Sequence, residues 1–335
     1  MASLPLFPLP EKPRLIGIAR LASEGESLRE GHNVEYFTLP AKSVLNRCVS
    51  RRGIPFTWTI NPYRGCEFGC KYCYARYTHE FMEMRDGVAF EQKIYVKQHA
   101  AELLRQELRQ VKPDESIAIG AATDPYQPAE RRYQVTHGIL EEFARHDGFN
   151  IGIITKSDSI LRDIDVLQAV ARRNRLSVNL TVTTVDVDLA RILEPRAPRP
   201  DLRLEAIRKL SEAGLRVGMS GSPILPGITD SPKDLDILVR AAAEAGAHYI
   251  FAGPLFLKPC SSAVFLPFLE KQFPHLVENY KRRYHGRAFL PSAYGKPLGQ
   301  LIARLRQKYG IAHDPNRSQT ISPPIQAAAE QWELF

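Results

Sequence analysis

Apolar and polar positions along the chain repeat in an order that reads as strand, loop, helix. Residues 56–60, Phe-Thr-Trp-Thr-Ile, alternate apolar and polar side chains, the period of a half-buried strand. Residues 116–122, 150–156, 176–184, 215–220 and 247–252 are short apolar or β-branched runs that end in polar or glycine-containing loops. Between the runs, residues 99–111, 135–145, 160–173, 202–213 and 233–245 carry apolar side chains at helical spacing, with Leu104, Leu108 and Val111 on one face. Gly214 and Gly246 stand where two of these helices should close. Strands that alternate with helices predict a parallel sheet. The fold class is α/β, and six such units fit an incomplete (β/α)6 barrel. A doubly wound sheet is the other arrangement this periodicity allows.

The alternation is confined to residues 46–257. Residues 1–45 carry prolines and glycines with little periodicity and read as an extension over the body. Residues 89–97 read as irregular chain or a short strand. Residues 258–311 read as a mostly helical region packed on the barrel. Its helix over 264–284 carries Phe265, Phe268, Leu269, Phe273 and Leu276. A loop or hairpin follows over 284–297, then a last helix over 298–309. Residues 312–335 are polar and proline-containing and read as a flexible tail.

Composition narrows the setting. No run of about 18 apolar residues is present, so no membrane-spanning helix is expected. The first ten residues carry prolines where a signal peptide would have an apolar helix, and no basic leader precedes them. Five cysteines, odd in number and clustered, do not suit a disulfide framework and fit a reducing cytoplasm. The formal net charge of +8 favours a polyanionic partner such as DNA. Arg51, Arg52, Arg131, Arg132, Lys281, Arg282 and Arg283 are candidate phosphate contacts, with Tyr284, Phe289 and Tyr294 interleaved near the last three.

The chemistry concentrates in Cys66, Cys70 and Cys73, spaced Cys-x3-Cys-x2-Cys just after the first strand of the alternation. A strand that runs into a functional loop is the layout at the carboxyl end of a β/α unit. Thiolates are the ligands of iron-sulfur clusters. Three of them on one loop leave one iron of a [4Fe-4S] cluster without a protein ligand and open to a cofactor or substrate. Zinc is the alternative, since it takes four ligands and Cys48, His79 or Cys260 could supply the fourth.

The cysteine motif, with Tyr72 before its third cysteine, resembles that of the radical S-adenosylmethionine superfamily. Residues 61–76 (NPYRGCEFGCKYCYAR), 123–130 (TDPYQPAE), 155–157 (TKS) and 193–196 (LEPR) look like the spore photoproduct lyase-related branch. The resemblance spans roughly residues 40–285. It implies a partial β/α barrel with the cluster loop after the first strand. It also implies that S-adenosylmethionine chelates the open iron and that one electron, from a flavodoxin or ferredoxin, cleaves it. The resulting 5′-deoxyadenosyl radical takes a hydrogen atom from the substrate.

Site roles follow from the same resemblance. Cys66, Cys70 and Cys73 bind the cluster, and Tyr72 packs near the adenine. Thr123 and Asp124 end the second strand, where the family meets the methionyl amino group. Lys156 suits the carboxylate, Thr181 or Thr183 bonds the cofactor, and Glu194 and Arg196 contact ribose or substrate or pair structurally. One departure stands out. The lyase carries a hydrogen-donating cysteine where this chain has Ala121 and Ala122. Tyr126 and Cys260 are the substitutes the sequence offers. The lyase also opens its lesion duplex with a hairpin in its C-terminal region, a role open to residues 284–297.

The expected activity is repair of a DNA base lesion. Two alternatives remain: a radical enzyme acting on RNA, protein or a metabolite, and a non-catalytic metal-containing nucleic-acid-binding module. At the end of the tail, Gln331, Leu334 and Phe335 resemble the peptide by which proteins bind the bacterial sliding clamp.

Overall fold

In chain order, strands β1 (Ser27–Gly31) and β2 (Val34–Thr38) form an antiparallel hairpin, and β3 (Leu45–Arg47) pairs antiparallel with β4 (Trp58–Ile60). The short strands β5 (Tyr63–Arg64) and β6 (Lys93–Val96) flank the cysteine loop. Then come β7 (Ser116–Ile119), β8 (Asn150–Thr155), β9 (Arg175–Thr181), β10 (Val217–Ser220) and β11 (Tyr249–Phe251). The computed structural model describes residues 15–31, 33–48 and 56–311.

The main sheet has the order β11-β10-β9-β8-β7-β4-β3. All neighbours from β4 to β11 pair in parallel. Its six parallel strands lie side by side in the order in which they occur. A doubly wound sheet reverses direction at a switch point; this one does not, so the arrangement is the incomplete (β/α)6 barrel. β3 adds an antiparallel edge strand that the sequence pattern did not reveal, because three residues are too few to show a period.

Side-chain alternation fixes the two faces of the sheet. Trp58, Ile60, Ile117, Ile119, Ile151, Ile153, Val178, Leu180, Val217 and Met219 share one buried core with Leu104, Ile139, Leu167, Ile207, Leu210 and Leu238 of the surrounding helices. The opposite face carries Thr59, Ala118, Asn179, Thr181 and Ser220, small or polar side chains that line the inside of the barrel. The helices are those the spacing predicted, with shifted ends: Ala100–Glu107, Val135–Ala144, Ile164–Arg173, Pro200–Glu212 and Pro232–Glu244. Pro232 sits at the first helical position, and Ser231 accepts from the backbone N–H of Asp234 at 3.1 Å.

A second sheet, β1-β2-β6-β5, stands beside the first. The extension over residues 1–45 is therefore built into the structure where it is described: β2 pairs in parallel with β6, which the cysteine segment supplies. The C-terminal region comprises helices Pro259–Gln272, Val277–Tyr284 and Ser292–Lys308.

Of the loop or hairpin expected over 284–297, the structure has a loop, confined to residues 285–291, and no hairpin. The last helix begins at Ser292, and the aromatics of the segment are committed inward. The Tyr284 hydroxyl donates to the Leu255 carbonyl at 2.7 Å, Phe289 stacks on Phe256 at 5.1 Å, and the Tyr294 hydroxyl donates to Asp230 at 2.7 Å. No helix among the described residues is long and apolar enough to cross a membrane.

Candidate active site

The cysteine loop leaves the carboxyl end of β4 through Asn61, whose side-chain oxygen accepts from the Ala122 N–H at 2.8 Å and so ties the ends of β4 and β7 together. Several backbone contacts then hold the loop. Cys66 N–H donates to Phe90 O at 2.9 Å, Lys71 N–H to Leu193 O at 2.9 Å, and Arg196 N–H to Phe68 O at 3.3 Å. Glu67 is buried and accepts from the Tyr36 hydroxyl and the Ala129 N–H, each at 2.8 Å. Gln127, also buried, donates to Gly65 O at 3.1 Å and accepts from the Glu67 N–H at 3.1 Å. Thr123 donates to the same Gly65 carbonyl at 2.6 Å.

Gly69 lies between the first two cysteines with φ +64°. A Cβ there would stand 2.1 Å from Glu91 Oε2 and 2.9 Å from Arg196 Nη2. Glu91 and Arg196 form an ion pair at 2.6 Å, so the turn favours glycine and any side chain there would have to displace the pair. The buried Arg76 completes this underside, donating to Cys70 O at 3.0 Å and facing Glu91 at 3.4 Å.

All three thiols are free of disulfides. Cys66 and Cys70 are buried, and Cys73 is partly so. Burial pushes all three up in pKa: Cys66 well above the usual thiol value, Cys70 to about 12, and Cys73 in the same direction. Asp124 and the other two thiols add to the effect on Cys66. A buried trio of this kind becomes anionic only with a strong cationic partner, which metal coordination supplies. Among the described residues no three His, Cys, Asp or Glu side chains converge on a point that could hold a metal ion. The zinc alternative also lacks its fourth ligand: His79 faces Lys93 O at 3.0 Å, Cys48 faces Thr59, and Cys260 faces Ser261. The residues fit a cluster, which spreads its ligands over several irons, better than a single ion.

Opposite the loop, Glu194 is 2% exposed. It accepts from the Tyr72 hydroxyl and from Thr183 at 3.0 Å, pairs with Arg203 at 2.5 Å, and lies 3.9 Å from the Lys156 ammonium. Burial alone would raise its pKa; Arg203 and Lys156 overcome that and hold the carboxylate below its ordinary value. Burial, and then Glu194, push the Tyr72 phenol well above its usual range, so it stays protonated and donates. The Lys156 ammonium lies 5.7 Å from the centre of the Tyr72 ring.

Asp124 accepts from Thr155 at 2.6 Å, Lys156 N–H at 2.7 Å and Tyr126 N–H at 2.9 Å, bracing the ends of β7 and β8. Thr181 lies on the inner face of β9, and its carbonyl accepts from Arg203 at 3.0 Å.

Tyr72, Lys156, Thr183 and Glu194 are thus brought together; Thr123 reaches the loop through its bond to Gly65 O, and Asp124 acts on Cys66 by its charge while bonding the end of β8. Glu194 and Arg196 both sit in structural ion pairs, Glu194 with Arg203 and Arg196 with Glu91. The two candidate hydrogen donors separate. Cys260 begins the helix Pro259–Gln272, and its neighbour Ser261 donates to Cys73 O at 2.9 Å, so it stands near the loop. Tyr126 does not present its hydroxyl there. It is buried in the helix-facing core and donates to Asp163 at 3.1 Å, within a cluster that also contains Arg162 and His137. Its phenol is used up by that bond. Tyr74 lies closer to the position that sequence reasoning left empty, its hydroxyl donating to the Ala121 carbonyl.

Arg131, Arg132, Lys281 and Arg282 are exposed. Arg51, Arg52 and the clamp-like Gln331, Leu334 and Phe335 lie outside the described residues.

Sequence reasoning missed Glu67, Arg76, Glu91, Gln127 and Arg203. Only Arg203 left a signal: with Ala206, Ile207 and Leu210 it occupies a buried helical stripe, where an arginine demands a carboxylate.

The sequence profile described as the Radical SAM superfamily matches residues 60–238, a little over half of the chain. The chain belongs to the radical SAM superfamily. Its family uses a [4Fe-4S] cluster and S-adenosylmethionine. An uncharacterized protein of Mycobacterium bovis is 34% identical over 301 residues, covering 88% of both chains. One from Methanocaldococcus jannaschii is 27% identical over 251 residues, covering 75% of this chain and 86% of that one. Among solved structures, a spore photoproduct lyase variant with bound AdoMet and dinucleoside spore photoproduct superposes with a TM-score of 0.61. It has 16% identity, over 81% of this chain and 78% of that one. At that identity the likeness is one of fold.

Proposed function

We propose that this radical SAM protein is a cytoplasmic enzyme that repairs a DNA base lesion. The observation that carries the reading is the trio of free thiols on a rigidly anchored loop at the carboxyl end of β4, facing a small and polar barrel interior. The net charge of +8 and the fold shared with spore photoproduct lyase support DNA as the partner.

Cys66, Cys70 and Cys73 hold the cluster. When bound, the cluster supplies one electron that cleaves S-adenosylmethionine to methionine and a 5′-deoxyadenosyl radical, with an electron-donating flavodoxin or ferredoxin as the source. The chain's own residues position and shield that chemistry. Tyr72, fixed by Glu194 and Thr183, presents its ring on the cofactor side of the loop. Lys156 supplies positive charge to a carboxylate, and Thr181 lines the interior beside it. Thr123 and Asp124 keep the ends of β7 and β8 in register around the loop.

Cys260 is the hydrogen-atom donor of this reading, and Tyr126 is not. The alanines at 121 and 122 favour a second reading, in which the same radical chemistry acts on RNA, protein or a metabolite. The Gln331, Leu334 and Phe335 peptide recruits the enzyme to the bacterial sliding clamp; removing residues 331–335 should abolish binding to purified clamp.

The test is anaerobic reconstitution with iron and sulfide, followed by reduction with S-adenosylmethionine and ultraviolet-irradiated DNA. The expected result is 5′-deoxyadenosine and loss of a lesion nucleoside by mass spectrometry. No 5′-deoxyadenosine with or without DNA would rule the enzyme reading out.

A further inference from the structure

β5 and β6 pair antiparallel with Tyr63 opposite Val96 and Arg64 opposite Tyr95. Tyr63 and Val96 point into the main core. By alternation, Arg64 and Lys97 share the other face as diagonal neighbours across the two strands. Lys97 is 5% exposed; it forms no ion pair among the described residues, and its ammonium, unlike Arg64 Nε, keeps some contact with solvent. Arg64 is half-buried. It gives one guanidinium N–H to Thr78 O at 3.3 Å, while its Nε–H is buried with no partner. The charged groups acting on Lys97 are Arg64 and a single carboxylate, Glu107. Glu107 Oε2 accepts from the Val44 and Leu45 N–H groups at 3.0 and 2.8 Å, and the carboxylate acts on Lys97 without forming an ion pair with it. Two basic side chains, Lys97 buried and Arg64 half-buried, thus lie on one face with no carboxylate in an ion pair with either among the described residues. Buried charges in this state are costly unless a counter-charge arrives.

We infer that Arg64 and Lys97 form a binding site for a phosphate oxyanion beside the cysteine loop. Together they offer the Nε–H and three ammonium hydrogens, all donors and no acceptor, which suits a group with several anionic oxygens. Arg64 stands two residues before Cys66 and is bonded to the helix after Cys73, so a phosphate held there is fixed relative to the cluster loop. Burial, with Arg64 beside it, lowers the Lys97 pKa to about 7, as an unsatisfied cation requires. That the phosphate belongs to a nucleic-acid strand rests on the DNA reading above; the site itself does not.

The test uses the reconstituted full chain and Lys97→Met. Thermal unfolding is followed in inorganic phosphate and in chloride at matched ionic strength. Phosphate should raise the wild-type midpoint in a concentration-dependent way and leave Lys97→Met unmoved. In chloride, Lys97→Met should be at least as stable as wild type, because an unpaired buried charge has been removed. Equal phosphate shifts in both proteins, no shift in wild type, or a Lys97→Met protein that is less stable in chloride would each overturn the site.

A fluorescent single-stranded oligonucleotide identifies the source of the phosphate. A loss of about tenfold in affinity, with a salt slope lower by about one, assigns it to the nucleic-acid backbone. Unchanged oligonucleotide affinity with a lost phosphate shift supports the site and assigns it to a small phosphorylated ligand. 5′-Deoxyadenosine formation without substrate is measured alongside. It should be unaffected in Lys97→Met, so failure of the radical reading would show in wild type as well.

Discussion

Two buried basic groups flank the cysteine loop and are treated oppositely. On one side, Arg203 and Lys156 surround Glu194, and the cluster is completed by hydroxyls from Tyr72 and Thr183. On the other, Arg64 and Lys97 share one face, and the one carboxylate acting on Lys97, Glu107, holds backbone N–H groups through Oε2 and forms no ion pair with it. The first group is internally satisfied, so it can serve as a fixed wall that aims Tyr72 and Lys156. The second has no carboxylate in ion-pair contact, so it is suited to receive an anion. Charge balance thus separates a part of the scaffold from a part that awaits a ligand, though both are made of the same residue types at similar depth.

The sharpest way to break this contrast is at the loop itself. Cys70→Ala should abolish 5′-deoxyadenosine formation while leaving a folded protein, read by product assay and circular dichroism. Next, Arg203→Met strands Glu194 and should cost about 3–5 kcal/mol in denaturant unfolding. A similar loss from Lys97→Met would erase the distinction between the two groups.

Gly69→Ala forces a side chain into the Glu91–Arg196 pair and strains a positive φ. It should lower iron and sulfide incorporation by several fold. The pH dependence sharpens the Lys97 side. Its pKa falls on folding to about 7, so the unfolded chain binds more protons between roughly pH 7 and 10. Stability of wild type relative to Lys97→Met should therefore rise across that window and be flat below it. The smallest effect is expected at Tyr126→Phe, which removes one bond to Asp163: about 1 kcal/mol of stability and no change in product.

The strand-helix order and the cysteine loop were legible because both depend on local patterns: a period of two or 3.6, and a fixed spacing of thiols. What was hidden depends on chain segments far apart in sequence. Tyr36 reaches Glu67, Gln127 spans Gly65 and Glu67, and Arg196 pairs with Glu91; no spacing rule connects these residues. Residues 284–297 read as a loop or hairpin because glycines and prolines interrupt the apolar pattern. The helix Ser292–Lys308 nevertheless forms through Gly295 and Pro297, because Leu298, Ile302 and Leu305 bury a stripe at helical spacing. Tyr126 stood in the sequence as a substitute for the hydrogen donor absent at Ala121 and Ala122; the turn sends it to the helix layer instead.

The central claim is that the radical made at Cys66, Cys70 and Cys73 acts on DNA. The direct measurement is isotope transfer from ultraviolet-irradiated DNA built with perdeuterated nucleosides, incubated anaerobically with the reduced enzyme and S-adenosylmethionine. The account predicts deuterium in the 5′-deoxyadenosine or recovered S-adenosylmethionine, and its loss in Cys70→Ala. Cofactor cleavage with no deuterium gained from the DNA would contradict it.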